Sequence, residues 1–304
     1  RKVAALMAPA IIGTSAVQIN VLINTYFVSG IEGAQGWLSY SFRLMQFPIG
    51  LFGVAVGTAA IPVLSRLAAE GKISQFRDTI SSSMNLVFLM TLPSACGLIV
   101  LGEPIVRLIY ERGKFDATAT SMTAIALAGY SIGLTGYAAI KILSPAFYAL
   151  DDAKTPMIIA VASIAVNFLG SYFLREWLSG FGVTPATPHG YGHVGVALAT
   201  SIVALVNFFA LALIMRKRVH RLNGRAIFAS FTKIAAASAV LSAVCYVSYK
   251  AIASVYGTGS ISVQFIEAFV PIALGGAAFV LTAKLLRVAE LEQLFEMLQR
   301  KLAR

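Results

Sequence analysis

Two basic side chains, Arg43 and Lys141, lie inside long apolar runs of the sequence. A charged side chain near the centre of a bilayer costs about 2.5–3.5 kcal/mol on insertion scales, so it usually faces a bundle interior or a wet cavity. Arg43 lies about eight residues into its run, roughly 12 Å at 1.5 Å per residue, and its guanidinium fork matches the paired oxygens of phosphate or carboxylate. Arg43 is therefore a candidate anion-binding residue, with snorkelling or bonding to backbone carbonyls as the alternative. Lys141 is a second candidate, and its four-carbon stem could also snorkel.

Uncharged polar side chains accompany these cations. Tyr40, Arg43 and Gln46 recur every three residues, which places them on roughly one face of a helix. In the first apolar run, polar side chains occur at Gln18, Asn20 and Asn24. Asn20 and Asn24 are four residues apart and share a face, so their amides could serve a cavity or bond to a partner helix. The candidate substrate-binding residues are Gln18, Asn20, Asn24, Tyr40, Arg43, Gln46 and Lys141.

The apolar runs that hold these residues account for most of the 304-residue chain. The composition is 58% hydrophobic and 12% charged, with a mean hydropathy of +0.80, whereas soluble domains are about 45–50% apolar and about 25% charged. A membrane-spanning helix needs roughly 20 largely apolar residues. The segments that satisfy this lie at about 3–29, 35–66, 77–101, 118–149, 155–178, 193–217, 228–254 and 262–286. The sequence predicts an all-α integral membrane protein, a polytopic helical bundle with eight transmembrane helices.

The formal net charge of +11 comes from Lys and Arg in short clusters between the apolar runs, such as Arg216-Lys217-Arg218. They do not form one solvated face, so no nucleic-acid partner is predicted. Most basic residues of the loops fall on the side that holds both ends of the chain. The positive-inside rule then predicts that both ends are cytoplasmic.

Signatures of catalysis and of metal binding are weak. Cys96 and Cys245 lie in separate apolar runs and form no disulfide framework or metal spacing. His189 and His193 are four apart in a Pro- and Gly-rich stretch, so we interpret them as surface-loop residues rather than a helical zinc site. No nucleophile-elbow, phosphate-loop or dinucleotide motif occurs. No cofactor, metal or enzymatic activity is predicted.

Other features concern packing and the ends of helices. The pairs Gly53/Gly57 and Gly129/Gly133 permit close helix approach, and Pro48, Pro62, Pro93, Pro145 and Pro271 are expected to kink their spans. Asp151 and Asp152 are interpreted as caps of the next helix, with a gating ion pair as the alternative. Two amphipathic stretches, at 103–111 and in the tail at Leu291, Leu294, Phe295, Leu298 and Leu302, predict interfacial helices.

The order of several motifs resembles the MviN/MurJ-type lipid II flippases of the multidrug/oligosaccharidyl-lipid/polysaccharide (MOP) exporter superfamily. The first motifs are Gln18-Ile-Asn-Val-Leu-Ile-Asn24, Arg43-Leu-Met-Gln-Phe-Pro48 and Gly53-Val-Ala-Val-Gly57. Further motifs are Ile61-Pro-Val-Leu-Ser-Arg-Leu-Ala-Ala-Glu-Gly71, Pro104-Ile-Val-Arg-Leu-Ile-Tyr-Glu-Arg-Gly-Lys-Phe115, Lys141-Ile-Leu-Ser-Pro-Ala-Phe-Tyr148 and Lys154-Thr-Pro156. The resemblance covers the whole chain, with its strongest motifs before residue 160.

This resemblance implies an architecture and a cargo. Family members have two six-helix lobes and two extra helices, so residues 1–220 correspond to the C-terminal lobe, 221–286 to the extra helices that are thought to form a lipid-tail groove, and 287–304 to a cytoplasmic amphipathic tail. The eight spans resemble helices seven to fourteen of the family, so the N-terminal lobe is expected to be a missing partner, in agreement with a first residue, Arg1, that is not Met. The implied function is alternating-access translocation of lipid II, undecaprenyl-diphosphate-linked disaccharide-pentapeptide, across the bacterial cytoplasmic (inner) membrane. Arg43 matches a cavity arginine that holds the diphosphate.

The sequence also departs from the family pattern. Some members have Glu where this chain has Gln46, which puts proton coupling at that position in doubt. Other members bind sodium through acidic residues, whereas this chain has Asn167 and Ser171, so sodium coupling is not expected. A flippase for another lipid-linked oligosaccharide, a MATE-like drug exporter, a membrane enzyme and a membrane scaffold remain the alternative functions.

Overall fold

A computed structural model describes residues 2–184, 187, 189–219, 223–256 and 260–292 of the chain. Its helices, in chain order, are α1 (Lys2–Val28), α2 (Ala34–Pro48), a π-helical segment (Ile49–Val54), α3 (Ala55–Ala69), α4 (Ile73–Val100), α5 (Gly102–Tyr110), α6 (Ala117–Ser131), α7 (Leu134–Ala149), α8 (Lys154–Ser179), α9 (Gly192–Arg218), α10 (Gly224–Tyr256) and α11 (Ile261–Leu285). Within these ranges the regular secondary structure is helical, apart from one bridge between Thr184 and Thr187.

The long helices confirm the predicted spans. Seven segments of the described chain are long and apolar enough to cross a membrane, and the pair α6 and α7, bent by 44° at a short break, supplies an eighth. Their outward faces carry large apolar side chains, among them Leu22, Phe173, Trp177 and Leu285. A soluble protein would bury many of these groups, whereas a bilayer solvates them. The chain is therefore an all-α multi-pass membrane protein.

The helices bury two clusters of side chains. One cluster joins α3, α4, α7, α9, α10 and α11, and includes Phe76, Phe147 and Met215. The other joins residues of α1, α2, α6, α7 and α9, and includes Met45, Leu127 and Leu134. Helix α1 packs mainly on α8, α8 packs on α9, and α10 packs on both α11 and α4. The two clusters leave α1, α2, α7, α8 and α9 around a shared space.

Glycines permit close packing where the sequence predicted it. A Cβ at Gly57 would lie 2.7 Å from the backbone oxygen of Lys141, and one at Gly133 would lie 2.6 Å from the Cα of Ser201. An added Cβ at Gly53 would lie 3.1 Å from the Cβ of Ala138, and one at Gly129 would lie 3.3 Å from the Cβ of Ala197. Side chains at these positions would push the helices apart, so the predicted packing role is confirmed.

Most of the predicted prolines do not break their helices, and kinks at these residues stay a prediction. The π-helical segment directly follows Pro48. Pro62, Pro93, Pro145 and Pro271 instead lie inside helices that continue through them. The fourth span breaks at Ile132 and Gly133, not at Pro145. Gly133 gives a physical reason, since its missing side chain allows α9 to approach the break.

The two predicted amphipathic stretches have different outcomes. Helix α5 coincides with the first stretch and buries Pro104, Val106 and Leu108, whereas Ile109 is exposed. The second stretch lies in the tail, and its residues 293–304 are outside the described residues. Its start is described, and there Leu291 is buried against the cluster that contains α4 and α10.

Candidate functional site

A cavity of about 450 Å³ lies between α1, α2, α7, α8 and α9. Four of the predicted site residues line it: Asn20, Asn24, Gln46 and Lys141. Its other polar lining residues are Thr14, Tyr137, Ser144, Tyr148, Ser163, Asn167, Thr200 and Asn207. The lining therefore combines amides, hydroxyls and one ammonium group with apolar surface, as is typical of pockets for amphiphilic ligands.

Arg43 lies on α2, one turn before Gln46, and is outside the lining of this cavity. The buried stripe of α2 consists of Ala34, Leu38, Ser41, Met45 and Pro48. Arg43 and Gln46 are exposed, and Tyr40 is partly buried, on the other side of the helix. The prediction that these three residues share a face is thus confirmed.

The guanidinium of Arg43 makes no hydrogen bond or ion pair with any described residue. Bonding to backbone carbonyls, the alternative raised by the sequence, is therefore not seen in this part of the chain. All of the donors of Arg43 are open to a ligand that approaches the exposed face of α2. Gln18 is likewise exposed and lies outside the cavity lining.

Lys141 is exposed and forms part of the cavity wall on α7. Its backbone is fixed because α3 packs directly against it at Gly57. Its ammonium group has no hydrogen-bonding or ion-pair partner among the described residues. The cavity therefore has one unpaired positive charge on a wall whose backbone is held by close packing.

Asn20 and Asn24 belong to a hydrogen-bonded network that joins α1 to α8 and α9. Asn20 Nδ2 donates to Ser163 Oγ at 3.1 Å, and Asn24 Nδ2 donates to Thr200 Oγ1 at 3.0 Å. Asn167 Nδ2 donates to both the backbone oxygen of Asn20, at 3.2 Å, and Asn24 Oδ1, at 2.9 Å. The interhelical bonding that the sequence offered as an alternative is therefore present, in residues that also line the cavity.

Three oxygens of this region are buried without a donor among the described residues: Asn20 Oδ1, Asn167 Oδ1 and Ser171 Oγ. Unsatisfied buried acceptors cost free energy, so each requires a hydrogen-bond donor or another ligand in the working protein. The described network contains no carboxylate. The expectation that this chain is not coupled to sodium stays a prediction.

A buried ion cluster was missed by the sequence reasoning. Glu267 on α11 is fully buried, and its Oε2 lies 3.6 Å from a guanidinium nitrogen of Arg107 on α5. Glu103 and Glu111 flank Arg107 on the other side. Burial lowers the pKa of Arg107, but the hydrogen bond with Tyr249 and these carboxylates outweigh it and raise the pKa overall. A carboxylate inside the last apolar run was the available signal, since intramembrane charges require partners.

The interpretation of His193 as a surface-loop residue is wrong. Helix α9 begins at Gly192, so His193 lies in its first turn and is fully buried. Its Nε2 lies 3.1 Å from the backbone oxygen of Met122, and its ring centroid is 5.0 Å from that of Trp37. His189 is exposed, as predicted. Among the described residues no group of three or more His, Cys, Asp or Glu could hold a metal ion.

Asp152, which follows α7 at its cytoplasmic end by the predicted orientation, caps the next helix as predicted and also forms an ion pair, whose role in gating stays a prediction. Its Oδ1 accepts from the backbone N–H of Thr155 at 3.0 Å, which caps the start of α8. Its Oδ2 accepts from Arg218 at 2.9 Å. Burial alone would raise the pKa of Asp152, but hydrogen bonds from Thr155 and the charge of Arg218 outweigh it and lower that pKa.

Comparisons with known proteins identify relatives of the chain. The family model described as lipid II flippase MurJ matches residues 1–267. Lipid II flippase MurJ of Burkholderia cenocepacia is 36% identical over 219 residues, which are 72% of this chain and 40% of that protein. Probable lipid II flippase MurJ of Vibrio cholerae is 34% identical over 211 residues, 68% of this chain and 37% of that protein. The chain thus matches about 40% of the length of these curated relatives.

Solved structures show the same fold at low sequence identity. A MOP superfamily transporter from Pyrococcus furiosus superposes with a TM-score of 0.53 and 16% identity, covering 96% of this chain and 66% of that one. A MATE transporter in complex with MaD3S gives a TM-score of 0.54 and 16% identity, covering 96% and 67%. At such identities the likeness extends to the fold alone.

Proposed function

The chain belongs to the lipid II flippase MurJ family, and from that premise we propose that it is the C-terminal part of a flippase that moves lipid II across the bacterial cytoplasmic membrane. One observation supports a cargo-binding role for this C-terminal part: the guanidinium of Arg43 has no partner among the described residues and lies beside a polar cavity. We assign transport rather than catalysis, because the relatives are named flippases.

Arg43 would bind the diphosphate of the lipid. A phosphate oxygen pair fits the planar fork of a guanidinium, and bidentate charge-assisted hydrogen bonds of this kind are among the strongest in proteins. Arg43 needs no rearrangement to bind, since it makes no competing ion pair within the described residues. Lys141 would supply a second positive charge from α7, and Gln46 would supply an amide from α2, one turn beyond Arg43.

The amide network of Asn20 and Asn24 would position the wall of the cavity. Both side chains are held by donors and acceptors on α8 and α9, so these bonds join α1 to those helices. The buried Asn20 Oδ1 has no donor among the described residues, so a hydroxyl or amide of the cargo would reach it only after the cavity wall opens. Gln18 and Tyr40, outside the cavity lining, would contact parts of the cargo nearer the missing wall.

The proposal includes the arrangement of the whole protein. Residues 1–220 would form the C-terminal lobe, 221–286 two additional helices that border a groove for the lipid tail, and 287–304 a cytoplasmic tail. A first lobe, which the longer relatives have room for, would form the opposite wall and be the main partner, with membrane lipids around it. Both ends of this chain would face the cytoplasm, as the distribution of Lys and Arg favours.

The test uses the full-length protein in cells depleted of their own flippase. Wild type should restore lipid II on the outer face, and Arg43→Ala should not. Arg43→Lys keeps the charge but loses the fork, so we expect partial function at best. Arg66→Ala is the matched control, since Arg66 is 70% exposed at the end of α3 and remote from the cavity lining.

Two results would contradict the proposal. Failure of well-expressed wild type to expose lipid II would exclude this cargo and favour another lipid-linked oligosaccharide. Full function of Arg43→Ala would remove Arg43 from the site. The MATE-like fold does not by itself favour a drug cargo, because the sequence identity to those structures is only 16%.

A further inference from the structure

We propose that an aromatic cluster at the outer end of α2, formed by Tyr40, Tyr110 and Phe115, binds the sugar ring attached to the diphosphate of the cargo. This inference rests on the proposed function, because it takes Arg43 as the residue that holds the diphosphate. It adds a carbohydrate subsite, which neither the cavity described above nor the free guanidinium supplies.

The three rings come from three different places in the chain. Tyr40 lies on α2, Tyr110 is the last residue of α5, and Phe115 lies in the loop before α6. The ring centroids of Tyr40 and Tyr110 are 4.6 Å apart, those of Tyr40 and Phe115 are 5.5 Å apart, and those of Tyr110 and Phe115 are 6.0 Å apart. Each ring is only partly buried, so the cluster retains aromatic surface that faces outward.

The ring of Tyr40 lies back over the preceding turn of α2. A Cβ at Gly36 would be 4.0 Å from Tyr40 Cε2, so the glycine leaves the ring in ordinary contact distance of the helix surface. The hydroxyl groups of Tyr40 and Tyr110 make no hydrogen bond to any described residue. The cluster therefore presents flat apolar faces together with two free hydroxyls.

This combination suits a pyranose ring. A sugar has an apolar C–H face, which packs on an aromatic ring, and an edge of hydroxyls, which need hydrogen-bonding partners. A hydrocarbon chain would leave the phenol hydroxyls unsatisfied, and a phosphate would find no cation within the cluster itself. The cluster matches the part of the cargo that is both apolar and hydroxylated.

The distance from Arg43 agrees with the covalent order of the cargo. Tyr40 precedes Arg43 by three residues, about 4.5 Å along the helix axis, on the same exposed face. A sugar bonded directly to the terminal phosphate lies about one ring diameter from that phosphorus atom. With the diphosphate on Arg43, the first sugar therefore reaches the aromatic cluster without further movement of α2.

A polar pocket is lined by residues next to the cluster in the sequence. It has a volume of about 590 Å³, and its walls include Glu32, Trp37, Lys114, Asp116 and His189. Phe115 lies between Lys114 and Asp116 in the sequence, so the cluster and the pocket share one loop. The rest of a headgroup bonded to the first sugar would have room there.

The experiment measures equilibrium binding to the purified full-length protein. The probes are a short-chain polyprenyl diphosphate that carries the disaccharide and the same polyprenyl diphosphate without sugar. Tyr40→Ala should weaken binding of the first probe by roughly fivefold to tenfold, the scale of one lost aromatic contact, and leave binding of the second unchanged. Tyr40→Phe should weaken the first probe less than Tyr40→Ala, and Tyr110→Ala should repeat the pattern of Tyr40→Ala.

Controls separate a subsite from a structural effect. Tyr172→Ala removes a tyrosine that is 54% exposed on α8, remote from the cluster, and should change neither probe. Equal weakening of both probes by Tyr40→Ala, or no weakening of either, overturns the subsite.

Arg43→Ala should weaken binding of both probes. If it weakens neither while Tyr40→Ala weakens only the sugar probe, the diphosphate assignment fails and the subsite stands; if wild type binds neither probe, both proposals are overturned.

Discussion

Single residues account for how the cavity is held in shape. The amide of Asn167 donates to both Asn20 and Asn24, and so connects α8 to α1 at two points. The residue was noted in the sequence only through its resemblance to a family position. Its bonding partners lie more than 140 positions away in the chain, and no periodicity of the sequence specifies which helices meet.

Replacement of Asn167 by Leu should destabilise the protein. The leucine has a similar volume but leaves Asn24 Oδ1 and the Asn20 carbonyl without their donor, at a cost of about 1–3 kcal/mol. Thermal unfolding of the full-length protein in detergent measures the loss of stability. Gln18→Leu is the control, because Gln18 is exposed on α1 and its change should be within about 0.5 kcal/mol. Equal stability of Asn167→Leu and wild type would contradict the assigned network.

Asp152 should make stability depend on pH in one direction. Its pKa is lowered in the folded state, so its contribution is complete above the unfolded value of about 3.9 and is lost as the pH falls through the folded pKa. The difference in unfolding midpoint between wild type and Asp152→Asn should therefore be large at neutral pH and vanish in acid. A difference that grows as the pH falls would have the wrong sign.

At the scale of elements, α5 ties the final helix to the rest of the bundle. Arg107 on α5 contacts the buried Glu267 on α11 and also Glu103 and Glu111 on its own side. The sequence showed the amphipathic pattern of α5 and the carboxylate in the last run. It could not show that the two meet, because the contact depends on how α11 sits against α5.

The two sides of this ion pair should respond unequally to mutation. Arg107→Ala leaves Glu267 fully buried without its cation and should cost about 3–5 kcal/mol. Glu267→Ala leaves Arg107 with two carboxylates and should cost clearly less. The free energy of unfolding of the full-length protein is compared between the two variants. Glu103→Ala, which removes a half-exposed partner of Arg107, serves as the control. A larger effect of Glu267→Ala would contradict the described contact.

Close packing of helices gives a matched pair of glycine substitutions. Gly57→Ala places a Cβ 2.7 Å from the backbone oxygen of Lys141 and should destabilise by about 1–3 kcal/mol. Gly97 lies inside α4 with no atom near its Cβ position, so Gly97→Ala should be neutral or stabilise by up to about 1 kcal/mol. Opposite signs in thermal unfolding are expected; two equal changes would show that α3 does not approach α7 this closely.

For the whole molecule, hydropathy determined the number and limits of the spans, because the cost of placing polar backbone in lipid leaves few alternatives. It did not determine the bend at Gly133 or the start of α9 at Gly192. The Pro- and Gly-rich stretch made His193 look like a loop residue, although packing against Trp37 and Met122 buries it. Local composition did not predict the bend, the start of α9 or the burial of His193, because contacts between distant segments determine them.

The candidate site was predictable to a similar extent. Asn20, Asn24, Gln46 and Lys141 line one cavity, and Tyr40 and Arg43 share the exposed face of α2 beside it. Charge and amide groups in apolar runs indicated the residues that line this cavity, since lipid excludes unpaired polar groups, and their role in binding stays a prediction. The aromatic cluster had no such signal, because its three rings come from separate elements and aromatic residues are common in every span.

The most direct test of the account follows the cargo itself. The full-length protein is reconstituted in proteoliposomes, with and without imposed ion gradients, and lipid II accessible on each face is counted over time beside a cationic drug as competing cargo. We expect lipid II to cross with wild type and not with Arg43→Ala, and the drug not to cross with either. Transport of the drug with no movement of lipid II would contradict this expectation.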